Sequence, residues 1–183
     1  MALCATGALP AAADAPKPAN SATAFDRLLY RTALSHAAPD DLAAEADARL
    51  AVLRELEKEN SAACAEFGED GFFADNRVVQ FGPEAQQAVS HFVTVDAKAR
   101  STALRARTYR PLSDAEIQHI GTNFVGPGDA DWLNHIEDKS HLATLDPATR
   151  CKSAVALFSA ATRDGSMTSA RFMVWILGIW SKR

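Results

Sequence analysis

The chain has 183 residues, a hydrophobic share of 48% and a formal net charge of −4. That length fits one domain able to bury roughly two-thirds of the surface its unfolded form exposes, and the hydrophobic share excludes an intrinsically disordered chain. The acidic balance excludes a general affinity for nucleic acid, which is driven by Lys and Arg neutralising phosphates.

Alanine is used heavily, and β-branched residues are sparse outside short runs such as Val78-Val79 and Val93-Thr94-Val95. Alanine loses no side-chain entropy in a helix. The composition therefore predicts an all-α, single-domain bundle of five to seven helices. Residues 21–183 form the domain, and residues 1–20 read as a signal-peptide remnant with a Pro/Ala-rich spacer. Leu3 to Leu9 is small and apolar, Pro10 follows, and Ala11-Ala12-Ala13 offers a cleavage pattern ahead of the polar run Asp14 to Asn20. That order matches the back half of a secretory signal without its basic start. A disordered Ala-rich tail is the alternative. The signal reading places the protein in the bacterial periplasm and removes Cys4.

Thr23 and Asp26 resemble a capping box, so a first helix is expected to about His36, with Phe25, Leu28, Leu29 and Ala33 inward. Pro39-Asp40-Asp41 then opens a long helix with carboxylates at its positive end. Leu42, Ala46, Leu50, Leu53, Leu56, Ala63 and Phe67 mark its apolar stripe, and Cys64 shares that face. Asp40, Asp41, Glu45, Asp47, Glu55, Glu57, Glu59 and Glu66 give an acidic outer face. Gly68 to Gly71 stops the helix. Phe72 and Phe73 then tuck a loop against the core or anchor a partner.

Pro83 at the first helical position starts the next helix, expected to reach Tyr109. Asp96 interrupts its apolar stripe, and Arg100 lies one turn later. A buried Asp96–Arg100 ion pair accounts for both. The basic end, Lys98 to Arg110 with Tyr109 interleaved, is expected to pair with the acidic helix. Ser113 and Glu116 form the clearest capping box, for a short helix to Ile120 ended by Gly121.

A loop at 126–132 precedes a helix expected over Ala130 to Lys139. Asp129 and Asp131 lack the remaining ligands of a calcium loop, so the aspartates decorate a helix start, beside Trp132. His119, His135 and His141 lack zinc-site spacing, and no hydrolase, P-loop or dinucleotide motif occurs. No metal or cofactor is expected.

Asp146-Pro147 begins the helix of Cys151, and Asp164-Gly165 turns the chain into a last helix capped by Ser166 or Thr168. Phe172 to Trp180 is apolar around nearly the whole circumference and much shorter than the ~20 residues of a membrane span. It is expected to be the helix the others wrap around, or else a half-exposed patch that docks a partner. Cys64 and Cys151 lie on apolar stripes and form a disulfide in an oxidising compartment, or else remain two core thiols.

In size, export signal, helicity and missing catalytic motifs, the chain is similar to the small disulfide-bonded helical proteins that bacteria export, immunity proteins among them. The expected function is accordingly a non-enzymatic periplasmic binder that neutralises a toxic or lytic enzyme. Phe72, Phe73, Asp129, Asp131 and Trp132 would be the contact residues. Two alternatives stand beside it. One is an enzyme or small-ligand binder with a dispersed site around Asp96, His119, His135 or Glu137; the other is a structural subunit of an envelope assembly.

Overall fold

A computed structural model describes residues 24–71, 80–103, 107–124 and 134–182. Among these residues there are eight helices and no strand. They are α1 (Ala24–Leu34), α2 (Pro39–Glu59), α3 (Ser61–Asp70), α4 (Pro83–Thr102), α5 (Asp114–Phe124), α6 (Lys139–Leu142), α7 (Pro147–Ala161) and α8 (Ser166–Ser181).

The centre of the bundle is α2, which packs most extensively on α4 and α8 and also against α7 and α3. The C-terminal hairpin is therefore not the hub: α7 and α8 contact each other far less than either contacts α2. The reason is in the stripes. Leu42, Ala46, Leu53 and Leu56 of α2 are fully buried, and Ala43 and Ala48 widen that face, so neighbours approach α2 from several sides. On α8, Phe172, Met173, Ile176, Leu177, Ile179 and Trp180 are buried, but Val174 and Trp175 are only partly covered and Gly178 is exposed. The apolar circumference of α8 is thus not completely enclosed.

Several boundaries differ from the sequence expectation, each for a local reason. The long helix breaks at Asn60, whose side chain accepts from the Ala63 amide at 3.0 Å and so caps a new helix. That cap adds a helix to the expected five to seven, and the one-turn α6 adds another. Helix α3 ends where Gly71 adopts φ 72°. A Cβ on Gly71 would also lie 2.6 Å from the Trp180 ring, so glycine is required there twice over. Helix α4 stops at Thr102, well before Tyr109, and α5 runs through Gly121 to Phe124. Gly165, at φ 88°, precedes α8 without a side-chain cap, so neither Ser166 nor Thr168 caps it. Residues 130–133 of the expected 130–139 helix lie outside the described residues. Its described end is a turn leading to α6, capped by Asp138 through the Ser140 and His141 amides.

Other local signals act as read. Glu116 accepts from the Ser113 amide at 2.8 Å, and the Ser113 hydroxyl accepts from the Glu116 amide at 3.4 Å. Asp146 accepts from the Thr149 amide at 2.9 Å and starts α7.

Cys64 of α3 and Cys151 of α7 are joined in a disulfide, with Cα atoms 5.2 Å apart. One turn along, a Cβ placed on Gly68 would meet the Ala154 Cβ at 2.4 Å. The two contacts form one seam, in which glycine lets the backbones close to the distance the disulfide spans.

Candidate functional site

Among the described residues, two features have the chemistry of a site. One is a polar cluster in the core, and the other is a groove along α8.

The cluster begins on α2. Glu45, expected on the acidic outer face, and Arg49, one turn later, are 0% and 1% exposed. Asp41 is buried as well. Arg49 Nε donates to Glu45, and Nη1 donates to the Gly71 carbonyl at 2.9 Å. The guanidinium is enclosed by rings: its carbon lies 4.7 Å from the centre of Phe92, 4.9 Å from Trp180 and 5.4 Å from Phe67. Such a cage suits a flat, delocalised cation that has left water.

Asp96 reaches the cluster from α4, 5% exposed. It accepts from Arg100 Nε at 3.0 Å and from the Tyr30 hydroxyl of α1. Arg49 Nη2 lies 3.4 Å from the same hydroxyl, so Tyr30 joins the two ion pairs. The adjacent Arg31 donates to the carbonyls of Trp180 and Asp70, the latter at 2.9 Å. These polar tips hold α1 on the bundle. Among its described side chains Arg31 and Leu34 are buried, while Leu28 and Leu29 face solvent and Ala33 is exposed, a correction to the expected apolar face. The Phe25 side chain is outside the described ones.

Burial pushes the Glu45 carboxyl up to about 7, with Asp96 adding to the rise and Arg49 opposing it. One carboxyl oxygen of Glu45, Oε2, has no hydrogen-bond partner. Burial alone would pull the Arg49 guanidinium down, but Glu45, Tyr30 and Asp96 more than offset it and hold it above its ordinary value. Arg49 is therefore the fixed charge of the pair, and Glu45 is the group that takes up a proton near neutrality. Tyr30 is pushed far up by burial, so it stays a hydroxyl donor.

The groove is built from α8 and the segment 107–112. That segment is tied at both ends. His36 Nδ1 donates to the Arg107 carbonyl at 2.6 Å, and the Tyr109 hydroxyl donates to the Ala37 carbonyl at 2.5 Å. Arg171 of α8 donates to the carbonyls of Arg110 and Pro111 at 3.0 and 2.8 Å, and forks onto Glu116 at 2.6 and 2.7 Å. The Arg171 fork and the Ser113 cap hold the Glu116 carboxyl well below the usual range. Between segment and helix lies a cleft of about 640 Å³ whose lining includes Pro39, Tyr109, Arg110 and Met167. It shares Tyr109 and Arg171 with an adjoining cleft of about 270 Å³ lined by Val174, Trp175 and Gly178.

The remaining sequence-derived candidates are dispersed. His119 lies 3.6 Å from Asp164, whereas His135 and His141 stack with ring centres 3.8 Å apart. His135 and Glu137 line a polar cleft of about 490 Å³ that does not include Asp96, and Glu137 and Lys182 also line the 270 Å³ cleft beside Trp175. Among the described residues no cluster could hold a metal ion. Phe72, Phe73, Asp129, Asp131 and Trp132 lie outside the described residues. The basic end of α4 does pair with α2 through Lys98 and Asp41 at 2.9 Å, but Arg107 and Arg110 turn to the α8 groove instead. Their interleaving with Tyr109 and the apolar run Phe172 to Trp180, part of which lines the groove, are the sequence signals for it. Among the described residues no helix is long and apolar enough to cross a membrane. Comparison with protein-family models, with curated proteins and with solved structures gives no match.

Proposed function

We propose that the protein is an exported binding protein that acts by protein–protein contact, as an inhibitor or immunity protein against a toxic or lytic enzyme. One observation carries the reading. The charged groups with the most site-like chemistry, Glu45, Arg49 and Asp96, are engaged in joining α1, α2 and α4, while a groove with apolar and cationic walls stands open along α8. A cluster that ties helices together under aromatic rings supports the fold. An open groove of mixed character is suited to a partner. Export to the periplasm is supported by the Leu3 to Ala13 pattern and by the disulfide, which persists in oxidising compartments.

The test is a titration of the purified protein into the lytic enzymes encoded beside its gene, with enzyme activity and complex formation followed together. The reading predicts stoichiometric loss of activity with one of them. Full activity throughout and no complex would remove it.

A further inference from the structure

We infer that the α8 groove takes an extended segment of a partner protein, with carboxylates at one end and bulky apolar side chains along the rest. This rests on the protein-binding reading and names where, and by what chemistry, the partner is held.

Charge selects one end. Arg107, Arg110 and Arg171 converge near Tyr109, and both Arg110 and Arg171 share the single Glu116 carboxylate. Asp40 and Asp41 also lie near Tyr109, and Asp41 is paired with Lys98 at 2.9 Å, so cationic groups remain in excess there on a chain of net charge −4. That excess favours an acidic segment and disfavours a second copy of this acidic chain. Length and shape select the rest. Met167 to Lys182 runs ~22 Å along the helix, room for about seven residues of extended peptide. Met167 is 53% exposed, and Trp175 is half-covered.

Gly178 supplies an independent observation. It interrupts the most apolar helix of the chain, where glycine costs stability relative to alanine. Its φ is not left-handed, and an added Cβ would meet nothing within 4 Å. Nothing in the fold requires glycine there. What the missing side chain leaves is open floor in the groove, level with Trp175. A concave floor with cationic groups at one end fits a peptide better than a flat membrane surface.

The experiment is selection of a displayed library of random decapeptides on the immobilised full-length protein and, in parallel, on its Gly178→Leu variant. The inference predicts enrichment of acidic-then-apolar sequences on the wild type. Affinity for the recovered peptide should fall at least tenfold in Gly178→Leu and in the Arg107→Glu, Arg110→Glu double variant, with thermal unfolding of Gly178→Leu no lower than that of the wild type. No enrichment, enrichment without that pattern, or equal affinity for Gly178→Leu would overturn it. So would cosedimentation with phosphatidylglycerol vesicles that Gly178→Leu abolishes, because the groove would then serve a membrane. An inhibited enzyme whose complex ignores Gly178→Leu would sink the groove and leave the binding reading standing. Peptide binding without any inhibited enzyme would do the reverse.

Discussion

The Arg49 guanidinium carbon lies 4.9 Å from the centre of the Trp180 ring, joining the middle of α2 to the end of α8 in the core. Phe67 and Phe92 complete the enclosure, and Glu45 and the Gly71 carbonyl accept its hydrogen bonds. Removing the cation leaves Glu45 and Asp96 buried with less compensation. Arg49→Leu is therefore expected to destabilise the protein by about 3–5 kcal/mol in denaturant unfolding. Arg49→Lys, which keeps the charge but loses the planar contacts, should fall between the two.

Glu45 makes stability depend on pH. Its carboxyl titrates near 4.5 when unfolded and is raised to about 7 in the fold. Between those values the unfolded chain has released the proton that the native state keeps, so rising pH works against folding. The sign is opposite to that of a carboxylate whose pKa the fold depresses. The wild type should lose at most about 3 kcal/mol from this group between pH 4.5 and 7, and little more above it. Glu45→Gln should flatten that stretch of the profile. Parallel wild-type and variant curves from pH 4.5 to 8 would show that Glu45 does not carry the effect.

The seam between α3 and α7 makes two separable predictions. Gly68→Ala drives a methyl group against Ala154, and overpacking of this kind costs about 1–3 kcal/mol. Cys64→Ser with Cys151→Ser opens a loop spanning a sequence separation of 87, for which chain entropy gives about 4–5 kcal/mol as an upper figure. Calorimetric melting of both variants checks the two values.

Gly178→Ala should raise stability by about 0.5–1 kcal/mol, since the site has room and the backbone is helical. A lower melting temperature would mean the floor of the groove is tighter than the geometry shows.

Much of the fold was legible because its signals are local. The stripe from Leu42 to Phe67 repeats at helical spacing, Ser113 and Glu116 cap each other, and Cys64 and Cys151 are the only cysteines left once Cys4 is set aside. The polar interior was not legible. Glu45 and Arg49 at i,i+4 look like an ordinary surface pair, and nothing local says that three aromatic rings close over them. The face of α1 was misread for a related reason: Leu28 and Leu29 fit the apolar template, but Tyr30 and Arg31 have tips that reach buried polar partners. The apolar run of α8 reads as buried all round, but at its outer side Gly178 is exposed and Trp175 is only partly covered. The break at Asn60 is not legible within the continuous stripe from Leu42 to Phe67, because its capping role depends on a bend that only the packed chain reveals.

The central claim is a division of labour between an interior cluster that holds the fold and an α8 groove that holds the partner. Calorimetric titration of the peptide selected on the wild-type protein, against Gly178→Leu and Glu45→Gln side by side, tests it most directly. The account predicts at least a tenfold loss of affinity in Gly178→Leu with its stability intact, and an altered pH–stability profile in Glu45→Gln with affinity unchanged. Binding lost in Glu45→Gln and kept in Gly178→Leu would contradict it.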